Sequence, residues 1–340
     1  MHGFRSRAAA AMMLAFGLVV IPSGGVGRRV PIVDWTRLTN PILGYGDRSV
    51  KDPAVVFAGG RWHALFSLID GRGTWRIAIT RSRDLRRWSR LAAVPHDPAV
   101  EGEASPDVVR APDGHFVVTY QSFVHDIHGG EAKLYYRTTN DFRRFSPAHP
   151  LGRGLHPAPA DRMIDAALAW TSAGLLIAYK YGATEGPQAF ELARSTTGSL
   201  DGPWVPVGRP SLTVYGDTIE NYQFLHLNGR WQLLATSNNL DRPFLFDLTG
   251  DPHQAQGWLS WSPGRELQIP QESWNPGSGT TGATYEHANS AFLVDRGSIQ
   301  GRYYLVYADA PDRTSFGGQG HNQLGIARST DLINWSVPPA

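Results

Sequence analysis

The chain has 340 residues, of which 41% are hydrophobic, 11% aromatic and only 18% charged, with a formal net charge of +2. That much apolar material excludes wholesale disorder, and so small a net charge gives no field for nucleic acid or an anionic membrane. The chain has no cysteine, which rules out a disulfide scaffold, a thiol nucleophile and a thiolate metal site.

Residues 1–27 read as a secretory signal peptide. Arg5 and Arg7 precede an apolar stretch from Ala8 to Ile21, and the breakers Pro22, Ser23, Gly24 and Gly25 follow. The apolar run is short for a membrane span, and an A-x-A cleavage site is missing, so an uncleaved anchor is the alternative. The expectation is a secreted protein with no membrane contact after signal removal. Residues 28–340 then form one domain.

That domain repeats itself. Each unit opens with an acidic residue or histidine, an apolar strand, a turn and a strand of alternating aromatics. A third strand follows, ending in Arg-Ser/Thr, an acidic turn and an aromatic residue. The first unit runs Asp52–Phe66 and Ile77–Ser89, and the second Asp107–Tyr120 and Leu134–Ser146. The third runs Asp165–Tyr179 and Leu192–Trp204, and the fourth Glu220–Leu234 with a degenerate Phe244–Ser262. The fifth begins at His287, continues through Arg302–Tyr307, and closes with Leu324–Ser336. Gly- and Asn-Gly-bearing turns between short strands are hairpin signals. Two hairpin-like phrases make about four strands per unit, and five such units describe an all-β, five-bladed β-propeller with four-stranded antiparallel blades. A β-sandwich would leave the repeats unexplained.

In a propeller the innermost strands line the axis, so equivalent positions near their starts converge. The first positions here are Asp52, Asp107, Asp165, Glu220 and His287. Acidic residues also open strands and cap turns, but the set recurs in register. Most tryptophans belong to the blade cores, as Trp88, Trp204 and Trp335 do by recurring at one repeat position. Trp75 and Trp274 fall outside that phrase, in expected loops, and are candidates for stacking on a sugar ring. His125, Asp126 and His128 read as a solvated turn rather than a metal cluster. Asn334-Trp335-Ser336 matches a glycosylation sequon but occupies a repeat position.

The residues also carry a resemblance. Asn40-Pro-Ile-Leu43 followed by Lys51-Asp52-Pro53 resembles the opening of the glycoside hydrolase family 43 propellers. Met163-Ile-Asp165-Ala-Ala-Leu168 resembles that family's Ile-Asp-Pro motif, and Thr218-Ile-Glu220-Asn-Tyr222 sits where the family has Glu-Gly-Pro. Tyr285-Glu-His287-Ala-Asn-Ser290 is similar to its Gly-His-Asn-Ser segment. The related family 62 arabinofuranosidases share the Lys-Asp and Ile-Asp motifs and are a close competitor. Two departures stand out: Ala166 replaces the Pro after the third-blade Asp, and Asn221-Tyr222 replaces Gly-Pro.

The resemblance implies an inverting hydrolase of arabinose- or xylose-containing carbohydrate, foremost an α-L-arabinofuranosidase. It makes Asp52 the general base and Glu220 the general acid, with Asp165 raising the pKa of Glu220 and orienting it. Asp107 matches a site-lining or structural Asp, a candidate substrate contact. His287 resembles an axial histidine that holds a calcium or sodium ion; no organic cofactor is implied, and a monomer is expected. A fructan-type hydrolase is the second enzymatic reading, although Lys51-Asp52-Pro53-Ala54 departs from its Asn-Asp-Pro-Asn setting. An inactive carbohydrate-binding propeller is the non-enzymatic one.

Overall fold

The repeated Ser/Thr-x-Asp step builds the same turn three times. The hydroxyl of Ser82, Thr139 or Ser329 accepts the backbone N–H three residues on, each at 2.9 Å. The carboxylate of Asp84, Asp141 or Asp331 accepts the next N–H groups at 2.8–3.0 Å. Side-chain acceptors thus satisfy donors that the turn takes out of any ladder. The residue after the acid, Leu85, Phe142 or Leu332, adopts a φ of +56° to +62° and drops into the core. The recurring phrase is therefore a folding device that ends a third strand and starts a fourth.

A computed structural model describes residues 33–123, 131–156, 162–182, 189–238, 240–274, 288–311 and 314–339. The strands of the described residues come in consecutive sets of four. The first set is β1 (Arg48–Ala58), β2 (Arg61–Asp70), β3 (Trp75–Ser82) and β4 (Ala92–Ala93), antiparallel in that order. The second is β5 (Gly102–Arg110), β6 (Phe116–Phe123), β7 (Ala132–Thr139) and β8 (His149–Pro150). The third is β9 (Arg162–Thr171), β10 (Gly174–Gly182), β11 (Ala189–Ser195) and β12 (Trp204–Gly208). One parallel pairing, Ala132 with Arg162, joins the second and third sets into a single sheet. The fourth set is β13 (Ile219–Leu227), β14 (Arg230–Ser237), β15 (Pro243–Asp247) and β16 (Arg265–Glu266). The last is β17 (Asn289–Leu293), β18 (Tyr303–Asp309), β19 (Gln323–Ser329) and β20 (Trp335–Ser336).

Two-residue turns close the tightest hairpins. Gly59-Gly60 joins β1 to β2 at φ of +57° and +77°, and Asn228-Gly229 joins β13 to β14 at +53° and +75°. Both central residues must be left-handed there, which suits glycine and asparagine.

Each set buries apolar side chains against the next. Val56, Ile79, Val108 and Phe116 fill the space between the first and second sets, and Leu134, Leu168 and Tyr179 that between the second and third. Leu192, Phe224, Phe244 and Trp258 pack the third on the fourth, and Leu225, Leu245 and Leu305 the fourth on the fifth. The last set packs back on the first through Phe66, Val306 and Ile326. Burying one such Leu or Phe contributes about 1.5–3 kcal/mol relative to exposure. The segment ahead of β1 adds a seam to this contact: Ile42 N–H donates to Leu324 O and Leu324 N–H to Leu43 O, both at 2.8 Å. The structure is thus all-β with four-stranded antiparallel sheets, as expected. Trp204 and Trp335 are buried within it and Trp88 half-buried.

One buried histidine in this core gives stability a pH dependence. His63 on β2 stacks on Phe142 with ring centroids 4.6 Å apart, and its Nε2 lies 3.1 Å from Ala58 O. Burial, joined by the guanidinium groups of Arg81, Arg61 and Arg143, holds its pKa down to about 4. The unfolded chain takes up that proton near pH 6.5, so between the two values only the unfolded state carries it. Stability is full above pH 6.5 and falls as pH drops towards 4. His63→Phe should lower the melting temperature at pH 7, because Ala58 O loses its partner. It should also lose less than wild type between pH 7 and pH 4.5; equal losses would exclude His63 as the cause.

Candidate active site

Every innermost strand carries the same irregularity. The ladder slips between Lys51 and Ala54, Ala104 and Asp107, Glu220 and Gln223, and Asn289 and Phe292. On β9 it slips at Asp165-Ala166, between the partners of Ala178 and Lys180. The first residue of each bulge is left-handed: Asp52 (φ +51°), Ser105 (+50°), Asp165 (+56°), Asn221 (+51°) and Ser290 (+51°). Bulges re-aim side chains, and Asp and Asn tolerate this conformation better than most residues. All five line one small cavity of about 30 Å³, room for about one or two waters.

This register corrects the expected one. Asp52 and Asp165 occupy equivalent positions, but Glu220 lies one residue ahead of its bulge at Asn221. In the second set the equivalent residue is Ser105, and Asp107 lies two residues further along β5. In the last it is Ser290; His287, with the ion expected there, lies outside the described residues, as do His125, Asp126 and His128.

A cleft of about 530 Å³ opens beside the small cavity, lined by Asp52, Asp165 and Glu220 together with Arg162, Lys180 and Asn221. That volume falls within the range of small-molecule sites, about 300–1,000 Å³. The three carboxylates are separated by 113 and 55 residues in the sequence, and the inner strands of three different sets bring them together.

Each carboxylate has a distinct setting. Asp52 is buried, and both of its oxygens accept hydrogen bonds. Ser67 Oγ donates to Oδ2 at 2.6 Å and Ser105 Oγ at 3.3 Å, while Ser290 Oγ at 2.8 Å and Asn221 Nδ2 at 3.2 Å donate to Oδ1. Four donors match the acceptor capacity of a carboxylate. Asp165 is buried beside it; its Oδ2 accepts the backbone N–H of Asn221 at 3.3 Å, and its own N–H donates to Gln121 Oε1. Burial, and then the neighbouring carboxylates of Glu220 and Asp52, push the Asp165 carboxyl up to about 6, against the ammonium of Lys180. The Glu220 side chain is 21% exposed, and Lys180 Nζ donates to its Oε2 at 2.8 Å.

The other expected site residues have different settings. Asp107 lines the small cavity but not the cleft, and both its oxygens sit 2.5 Å from Arg296 Nη2. Burial raises its pKa despite that guanidinium, and the pair ties β5 to Arg296, whose Nη1 also donates to Phe224 O. Trp75 is no loop residue: it opens β3, is buried beside Ile69, Phe123 and Ile164, and touches the cleft wall. Trp274 lies away from the cleft, stacked 6.0 Å from Tyr307 with its indole N–H on Glu272 at 3.0 Å.

Sequence reasoning missed Lys180, the serine donors and the part played by Asn221. Asn221 had one signal, its departure from the family motif. It links the two buried aspartates, donating from its amide to Asp52 and from its backbone to Asp165. Lys180 also left a trace: the chain has only three lysines among its 32 basic residues, and this one interrupts an otherwise apolar strand.

No protein-family model matches the sequence, and no curated protein matches it either. Among solved structures, the chain is similar to a xylan β-1,4-xylosidase from Bacillus halodurans C-125 at 17% identity and a TM-score of 0.60. The match covers 88% of this chain and 56% of that one. An α-L-arabinofuranosidase from Lactobacillus brevis matches at 14% identity and a TM-score of 0.59, covering 87% of this chain and 94% of the other. A GH43 endo-arabinanase from Bacillus licheniformis matches at 14% and 0.56, covering 83% and 94%. The fold is that of the family 43-like propellers.

Proposed function

We propose that the protein is a secreted, monomeric glycoside hydrolase that inverts the anomeric carbon of arabinose- or xylose-containing carbohydrates, acting as an α-L-arabinofuranosidase. The observation that carries this reading is the convergence of Asp52, Asp165 and Glu220 on one cleft. In this reading the five sets of strands are five blades of one propeller over residues 28–340, and residues 1–27 are removed on export.

Inversion needs a base on water and an acid on the leaving oxygen. Asp52 is the base. Ser290 has a single hydroxyl proton and more than one acceptor in reach, Asp52 Oδ1 at 2.8 Å and Asn221 Oδ1 at 3.2 Å. Turning that proton to Asn221 frees Asp52 Oδ1 to accept from the attacking water. Glu220, partly open to the cleft, gives its proton to the departing oxygen. Asp165 keeps negative charge or a shared proton beside Glu220, which favours a protonated acid. Among the described residues no three His, Asp or Glu side chains gather in metal-binding geometry. The calcium or sodium ion proposed at His287 falls outside those residues, and no step runs through it.

A screen of p-nitrophenyl pentosides, arabinan and arabinoxylan, with proton NMR of the first sugar released, tests the proposal. The expected result is release of arabinose, with the β-furanose appearing first from an α-linked substrate. Retention would remove Asp52 as a base. Binding to these polysaccharides without turnover would favour the carbohydrate-binding reading.

A further inference from the structure

A buried lysine must be matched by an anion, because removing an ammonium from water is costly unless it is paired. Lys180 lies on β10, directly across the ladder from Ile164, the residue before the Asp165 bulge. Its flanking tyrosines point the other way: Tyr179 donates its hydroxyl to Glu191 at 2.7 Å, and Tyr181 stacks on His156 at 3.5 Å. By strand alternation Lys180 faces the cleft. Its side chain is only 3% exposed, and Nζ donates to Glu220 Oε2 at 2.8 Å and to Asn238 Oδ1 at 2.5 Å.

This contact distinguishes the two oxygens of Glu220. Oε2 is held by the ammonium, whereas Oε1 has no partner among the described residues. A proton on this carboxyl cannot sit on Oε2, where it would face the ammonium. We propose that Lys180 is a positioning residue: by holding Oε2 it directs the transferable proton of Glu220 to Oε1, towards the leaving oxygen, and stabilises the carboxylate that remains. The proposal rests on the reading of Glu220 as the general acid.

Several charges act on Glu220 from the elements around it. Asp165 on β9 and Asp52 on β1 carry carboxylates in the same cleft, and the Tyr222 phenol lies on its own strand. Arg162, Asp241 and Lys51 stand further along the cleft wall. Lys180 alone of these cations stands at hydrogen-bond distance from Glu220 among the described residues, so its removal takes away the nearest positive charge.

The test uses the full chain and the best arabinan or arabinoxylan substrate from the screen, whose sugar leaving group needs the proton of the acid. kcat and KM are measured from pH 4 to pH 9 for wild type, Lys180→Met, Lys180→Arg and Glu220→Gln, with melting temperatures alongside. Lys180→Met should lose about 10²-fold in kcat, the scale of a misplaced catalytic group, with KM nearly unchanged. Its alkaline limb should move to higher pH, because the ammonium at hydrogen-bond distance from Glu220 is gone. Lys180→Arg should recover most of kcat and the wild-type limb. Should Lys180→Met not fold, Lys180→Gln keeps a donor without charge and should show the same upward limb shift. A Lys180→Met or Lys180→Gln enzyme with wild-type kcat and pH limbs would overturn the proposal, whatever its melting temperature. If Glu220→Gln loses activity in that case, only the role of Lys180 falls. If Glu220→Gln turns over like wild type, the acid assignment itself falls.

Discussion

Asp52→Asn should lower kcat by roughly 10²- to 10⁴-fold on every substrate, the contribution of a positioned general base. The fold should tolerate the change. An amide nitrogen in place of one oxygen turns an acceptor into a donor, and the Ser67 and Ser105 hydroxyls that serve Oδ2 can reverse to accept. Ser105 also accepts from Gln121 Nε2 at 2.9 Å, which leaves the second lone pair of its hydroxyl oxygen for the new amide. The melting temperature should therefore stay close to that of wild type while turnover collapses. Unlike the loss of an acid, this loss should not depend on the leaving group, because every substrate needs the same water. Activity within tenfold of wild type would remove Asp52 from the chemistry.

The fold was legible because its signals are local. A Ser/Thr-x-Asp step makes its own turn from its own side chains, as Ser82 and Asp84 do, so it repeats wherever a blade needs it. Asp52 and Asp165 were legible for a related reason, since each stands at a bulge whose left-handed φ suits an aspartate. The register between sets was not. Aligning the units on their acids put Asp107 level with Asp52, whereas the bulge falls on Ser105, a residue with no charge to mark it. The same slip separates Glu220 from Asn221. Only backbone geometry distinguishes a bulge residue from its neighbours, and an acid at either place looks alike in the sequence.

The loop expectation failed at Trp75 for a different reason. Trp75 and Trp274 stand outside the repeat, which suggested loops; Trp274 lies in a turn but Trp75 opens a strand, and both pack against neighbouring side chains. A large ring contributes most when covered, so position outside a repeat says little about exposure. Lys180 was missed because a single cation in an apolar strand acquires meaning only through its partner, and Glu220 lies 40 residues away in the sequence.

Glu220→Gln should show a penalty that depends on the leaving group. A sugar alkoxide departs poorly without a proton, so loss of the donor should cost about 10²- to 10⁴-fold on a natural oligosaccharide. Nitrophenolate is a stable anion and needs little protonation; on such substrates the penalty should shrink to roughly tenfold or less, following Brønsted behaviour. The site should survive the change, because the carboxamide oxygen can still accept from Lys180 Nζ, which lies 2.8 Å from Oε2 in the wild type. The alkaline limb of the pH–rate profile should also disappear, since that limb reports the acid losing its proton. Asp165, held at about 6 by burial and by the Glu220 charge, should titrate lower once that charge is gone. A series of aryl arabinofuranosides with leaving groups of graded acidity measures all of this in one plot of log kcat against leaving-group pKa. Wild type should give a shallow slope and Glu220→Gln a steep one. Parallel lines would mean that Glu220 binds or positions substrate without donating a proton, and the acid would then have to be sought in Asp165.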